Sequence, residues 1–304
     1  MCRPARATGR PFICKHLGND TVLSHLLRFL DINGMGRANR ARRLGRQSLK
    51  AIGCTILGAL FLAAATGAQA QEGDAKAILK AMADYVSGQK TIELSFDSSI
   101  EVITPQLEKI QFTNSGEALL SRPNRLRAHR MGGYADVALF FDGKTVSVLG
   151  KHLNVYAQFE GPGSIDELVE ALRAGRGVAL PGADLLLSNA YEALVAGVLE
   201  AKHIGRGVID GVECEHLAFR NFDTDWQLWV EVGERPVPRQ MVITSKTLNS
   251  APQYTLRVKR WKTGFEPAAD AFSFTPPAGA EELSPDALIE LDELPPDPPA
   301  GGSE

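Results

Sequence analysis

From Thr91 onward the chain takes on a period of two, restarted again and again after short turns. Ile92, Leu94, Phe96, Ile100 and Val102 alternate with Glu93, Ser95, Asp97, Ser99 and Glu101. Successive strand side chains point to opposite faces, so this pattern predicts a long strand with one dry and one wet side. Ile110, Phe112 and Ala118 repeat it. Further strands are expected around 124–131, at 136–141 and 144–149 flanking Asp142-Gly143, and near Leu153–Phe159. They resume at 201–209 and 212–220 around Asp210-Gly211, then at 225–232, 238–246, 253–262 and 271–275. Asp-Gly between apolar runs is a strong hairpin signal. About eleven strands joined by short turns give an antiparallel sheet, and its dry face needs a cover.

The cover comes from helical segments. Residues 74–87 place Ala77, Ile78, Ala81, Met82 and Tyr85 at helical spacing behind Asp74, a good N-cap. Ser164 caps a helix at 165–174, with Glu167 at the capping-box position. Residues 181–200 read as one or two short helices. The expected fold is therefore α+β, an antiparallel β half-barrel covered by a few helices.

Charge is divided unevenly along the chain. Residues 1–70 carry eleven Lys or Arg against two Asp or Glu, whereas the remainder carries twenty-two against thirty-four. The basic run at 37–50 leads into an apolar stretch, Ala51 to Gly67, and then Ala68-Gln69-Ala70. That order is the pattern of a secretory signal peptide cleaved near Ala70. Its charged segment begins beside Met35, so translation is expected to start there and residues 1–34 not to be translated. The tail 281–304 has eight acidic residues, no basic ones and a Pro-rich end, the composition of a disordered segment. The half-barrel domain is then expected at 71–280. An acidic body excludes nucleic acid as a natural partner, since phosphate binding needs a cationic surface.

No G-x-S-x-G, H-E-x-x-H, P-loop or G-x-G-x-x-G occurs, so no catalytic residue and no cofactor are assigned. Cys214 is the only cysteine of the body. A two-residue Asp210-Gly211 turn would set position 203 opposite 218, with Cys214, His216 and His203 on one face. Three soft ligands without a fourth make a metal enzyme the remotest reading, and no metal is expected. Trp226 and Trp229 are an odd number apart and should face opposite sides of one strand.

Two features invite a binding role. Arg122, Arg125 and Arg127 crowd three guanidinium groups into six residues, a possible rim for a carboxylate or phosphate headgroup. The helical segments carry a surplus of leucines, Leu186 and Leu194 among them. A sheet curved around small helices either leaves an apolar concavity or fills it with its own side chains. Periodicity is equally consistent with both.

Gly116 through Arg127, containing Ser121-Arg122-Pro123, and then Phe141-Asp142-Gly143-Lys144-Thr145, resemble the lipoprotein carriers of the LolA type. Phe272-Ser273-Phe274-Thr275-Pro276-Pro277-Ala278-Gly279 is similar to their closing segment. The likeness is nearer still to a group of uncharacterised predicted periplasmic proteins of that superfamily. It implies an eleven-stranded half-barrel closed by helices around a hydrophobic cavity for acyl chains. It also implies that Arg122 helps hold the lid closed. Where those carriers favour aromatics, this chain has Leu126, Ala128, Val146 and Val148.

The expectation is a non-enzymatic periplasmic carrier or binding protein for lipid, lipoprotein or other apolar cargo. Arg122, Arg125, Arg127, Phe96, Phe112, Leu186 and Leu194 are its candidate binding or gating residues. The alternative is a periplasmic sensor that binds an envelope membrane protein.

Overall fold

The computed structural model describes residues 58–175 and 180–285. The expected leader up to residue 57, and the tail from 286 on, lie outside the described residues.

Among the described residues twelve strands form one sheet: β1 (Thr91–Ile103), β2 (Lys109–Ser121), β3 (Arg125–Gly132), β4 (Asp136–Phe141), β5 (Thr145–Gly150), β6 (Val155–Glu160), β7 (Glu200–Ile209), β8 (Val212–Arg220), β9 (Thr224–Glu231), β10 (Pro238–Ser245), β11 (Gln253–Thr263) and β12 (Glu281–Glu282). Their order is β12-β6-β5-β4-β3-β2-β1-β11-β10-β9-β8-β7. Every pairing is antiparallel except β12 with β6, and β7 and β12 are the edges, so the sheet is open. Among the described residues no helix is long and apolar enough to cross a membrane.

The hairpin signals hold for physical reasons. Asp142 Oδ1 accepts from the backbone N–H of both Lys144 and Thr145 at 2.8 Å, and Gly143 takes a φ of 100°. Asp210 and Gly211 both adopt positive φ, 49° and 81°, as a tight two-residue turn needs.

One face of the sheet is covered. Helix α1 (Gly58–Ser87) lays Ala75, Leu79, Met82, Ala83 and Val86 against Leu217, Phe219, Trp226 and Leu228 of β8 and β9. Burying a Leu, Met or Val contributes about 1.5–3 kcal/mol. This stripe differs from the expected one: Ala77 and Ala81 are exposed, because the larger Leu79 and Val86 take the dry side. The helix also does not start at Asp74. It runs unbroken from Gly58, through an alanine-rich stretch of high helix propensity.

A lid crosses the same face between β6 and β7. It comprises α2 (Ile165–Glu170), a wider helical turn (Ala171–Gly175), a 3-10 turn (Ala183–Leu186) and α3 (Ala190–Val195). Ser164 caps α2 as expected, its hydroxyl accepting from Glu167 N–H. The helix expected at 165–174 is found as α2 continued by the wider turn to Gly175.

The expected strand at 271–275 is absent. Its backbone N–H groups close local turns instead, Ala271 to Ala268 and Ser273 to Asp270. This segment runs along the outer face, where Phe274 packs on Phe140 and Tyr156 at centroid distances of 5.4 and 5.5 Å. It ends as β12, with Leu283 N–H donating to Tyr156 O. Sheet pairing thus continues past residue 280 into the acidic segment.

Candidate functional site

Strand parity and register assign each side chain to a face. Ile92, Leu94, Phe96, Ser98, Ile100 and Val102 of β1 face inward, toward α1 and the lid. Their partners on β2 are Leu120, Ala118, Gly116, Asn114, Phe112 and Ile110. On β3 the inner positions are Leu126, Ala128 and Arg130.

This separates the three expected arginines. Arg122 precedes β3 and turns inward to the lid. Its Nη2 donates to Leu186 O at 2.7 Å and its Nε to Gln89 O at 3.2 Å. Burial pushes its guanidinium pKa down, and nearby Asp166 pulls the other way. One side chain thereby joins the β2–β3 corner, the α1–β1 turn and the 3-10 turn of the lid. The corner itself meets α2 through Ile165 N–H and Pro123 O, 2.8 Å apart.

Arg125 and Arg127 share the opposite parity and lie on the outer face, so they form no inner rim with Arg122. Arg125 is exposed. Arg127 reaches the segment after β11 that crosses the outer face as a strap, at Ala271 O, 3.5 Å, with Glu117 3.8 Å away. The inward cation of β3 is Arg130, directly across from Gly116. Its signal was present in the sequence: it has the parity of Leu126 and Ala128.

Two further ties hold the lid. Arg173 clamps Asp184 through two bonds, 2.6 and 2.9 Å, and also donates to Leu180 O at 3.0 Å. Both side chains are nearly buried. Asp166 accepts from the backbone N–H and the hydroxyl of Ser188. Neither tie has a local sequence signature, since each joins separate lid segments.

Beneath the lid the space is occupied. Leu194 is 1% exposed and belongs to the core with Leu185, Leu217 and Trp226; Leu186 packs against it. The expected open concavity is therefore filled at this end by the chain's own side chains. Away from the lid the inner face changes character. Phe96, Ile100, Val102, Phe112 and Tyr254 are only half-buried. Phe96 swings over Gly116, where a Cβ would stand 2.4 Å from its ring. A recess of about 10 Å³, room for one water, lies among Ile100, Ile243 and Tyr254. Trp261, across from Leu94, buries its Nε1–H with no hydrogen-bond partner.

The suggested soft-ligand face does not form. A bulge between His203 and Gly205 places His203 opposite Leu217, so it points inward to Glu215, 2.7 Å away. Cys214 and His216 lie on the other side, His216 stacked on Trp229 at 4.1 Å. Burial pushes the Cys214 thiol pKa up. Among the described residues no group of His, Cys, Asp and Glu is arranged to hold a metal. Trp226 and Trp229 do face opposite sides: Trp226 is buried against Phe219 inside, its Nε1 donating to Asn221.

Comparison with known proteins gives a family. The family model described as "Predicted periplasmic protein (DUF2092)" matches residues 75–284. No curated protein matches. Among solved structures the chain is similar to the Mycobacterium tuberculosis lipoprotein LppX, at 15% identity and a TM-score of 0.41, over 64% of this chain and 98% of that one. It is similar to LprF from Mycobacterium bovis at 15% identity and a TM-score of 0.39, covering 69% and 99%. It also matches the Pseudomonas aeruginosa MucA/MucB complex at 14% identity and a TM-score of 0.37, covering 66% and 61%.

Proposed function

The chain belongs to this family of predicted periplasmic proteins, and from that premise we propose that it is a non-enzymatic binding protein for acyl chains or another apolar guest. One observation carries the reading: the inner face is sealed at the lid but leaves Phe96, Ile100, Val102 and Phe112 half-buried beyond it. Each acyl methylene taken up there contributes about 0.8 kcal/mol. The Trp261 Nε1–H is an inward donor suited to an oxygen of a headgroup. Arg122 is the latch: breaking its bond to Leu186 O frees the lid and lets a longer guest displace Leu186 and its neighbours. Arg125 and Arg127 have no place in the guest site in this reading, and Arg127 steadies the outer strap. A leader cleaved near Ala70 leaves the buried stripe of α1 from Ala75 to Val86 in the mature protein.

Native mass spectrometry of protein purified from the periplasm tests this. The expected species begins near Gln71 and carries a lipid-sized adduct. A protein that never carries lipid and takes up no fluorescent fatty acid contradicts it.

A second reading, binding of an envelope protein partner, has one observation in its favour. β7 is a sheet edge with Ile204 and Val208 exposed, open to an added strand. The bulge, Lys202 and Arg206 on the same strand blunt that edge. Capture of one envelope protein regardless of lipid would favour it.

A further inference from the structure

Parity and register put a single charge on the inner face of β1 to β6. The inner positions of these strands hold Ile, Leu, Val, Phe, Ala and Gly, with three polar exceptions: Ser98, Asn114 and Arg130. The three are neighbours. Asn114 lies directly across from Ser98 on β1 and diagonally from Arg130 on β3, which itself faces Gly116. Direct and diagonal cross-strand neighbours stand about 4.5–8 Å apart, within reach of a long side chain. The acids of these strands, Glu93, Asp97, Glu101, Glu117, Asp136 and Glu160, all take the outer parity.

Two glycines shape the floor around Arg130. A side chain at Gly132 would collide with the Asn114 amide oxygen, and one at Gly116 with the Phe96 ring, so both groups lie down where a Cβ would stand. Ser98 is buried, 5% exposed, and neither its hydroxyl nor the Asn114 amide makes a hydrogen bond among the described residues. A hydroxyl held out of water without a partner costs free energy that an incoming oxygen returns. Beside Asn114 an apolar row begins: Phe112, Ile100, Tyr254 and Ile243 are successive cross-strand partners on β2, β1, β11 and β10. The first three are half-buried. The row crosses the sheet over about 14 Å and ends at the small recess beside Ile243.

We propose, on the premise that the inner face is a guest site, that it takes a fatty acid, with the carboxylate held by Arg130, Asn114 and Ser98 and the chain laid along Phe112, Ile100 and Tyr254. One guanidinium answers one carboxylate, and its planar fork binds both oxygens. A phosphate monoester brings a second charge that no other inner position of these strands meets. The Asn114 amide and the Ser98 hydroxyl supply further donors. The chain covers apolar surface that the lid leaves half-buried.

Equilibrium dialysis of the lipid-stripped protein against labelled dodecanoate and dodecanol, near neutral pH, is the test. Wild type should hold dodecanoate at least about tenfold more tightly, the scale of a hydrogen bond to a charged group. Arg130→Met should abolish that preference through weaker dodecanoate binding, and Arg130→Lys should keep part of it. Arg127→Met, on the outer face of the same strand, should keep the wild-type preference, and circular dichroism confirms that the variants fold. Equal affinity of wild type for the two ligands overturns the carboxylate site and leaves the guest site standing, whereas binding of neither overturns both. A preference that survives in Arg130→Met, is lost equally in Arg127→Met, or is exceeded by dodecyl phosphate also overturns the proposal.

Discussion

Arg122 donates to the backbone carbonyl of Leu186 across 64 positions of sequence, at 2.7 Å. It ties the end of β2 to the 3-10 turn of the lid, beside the backbone bond from Ile165 N–H to Pro123 O. Removing the side chain strands Leu186 O and Gln89 O. Arg122→Ala should raise amide exchange across residues 183–195 by at least about tenfold, the scale of a lost hydrogen bond to a charged group. Arg122→Lys should recover only part, because an ammonium lacks the planar fork. Unchanged protection by hydrogen-exchange mass spectrometry would refute the latch.

The Arg173–Asp184 pair makes a different demand. Both partners are nearly buried, so deleting the cation leaves an uncompensated carboxylate. Arg173→Ala should destabilise by about 3–5 kcal/mol, and the double variant Arg173→Ala, Asp184→Ala by less than the sum. Urea midpoints read this, and strictly additive losses would argue against a coupled pair.

Gly116 lets the Phe96 ring lie across β2. A Cβ there would meet Phe96 Cζ at 2.4 Å and His129 O at 2.7 Å. Gly116→Ala should cost about 1–3 kcal/mol. It should also push the ring toward the open stripe and lower fatty-acid uptake. Wild-type stability in thermal unfolding would show that the floor yields more easily than the geometry indicates.

On the outer face, burial raises the Asp136 carboxyl pKa, but the His129 bond at 2.6 Å and nearby Lys151 outweigh it and leave it below the usual carboxylate range. A depressed folded pKa means stability present above the unfolded value, about 4, and lost as pH falls through the folded one. Asp136→Asn should therefore be less stable than wild type near neutral pH, with the gap closing in acid. Equal gaps at both pH values, read as denaturant midpoints, would contradict the sign.

Much of this fold is legible in the sequence because the information is local. Alternation from Ile92, the two Asp-Gly turns, the Ser164 cap and the opposed Trp226 and Trp229 all follow from short-range rules. The dry face of α1 departs from the expected stripe where alanines compete with Leu79 and Val86, a choice only the facing strands decide. The His203 side chain changed faces through one extra residue at a bulge, which periodicity does not record. For the arginines, parity alone separates Arg127 from Arg130, whereas the reach of Arg122 to Leu186 and of Arg173 to Asp184 is set by chain crossings that no short window contains.

The central claim, a guest on the inner face beyond the lid, is tested most directly by photo-crosslinking the mature protein with a diazirine fatty acid and mapping the labelled peptides. Label concentrated on peptides bearing Phe96, Ile100 and Phe112, and reduced by Phe112→Asp, is the predicted result. Label confined to the outer strap around Phe274, or none above a denatured control, would contradict the account.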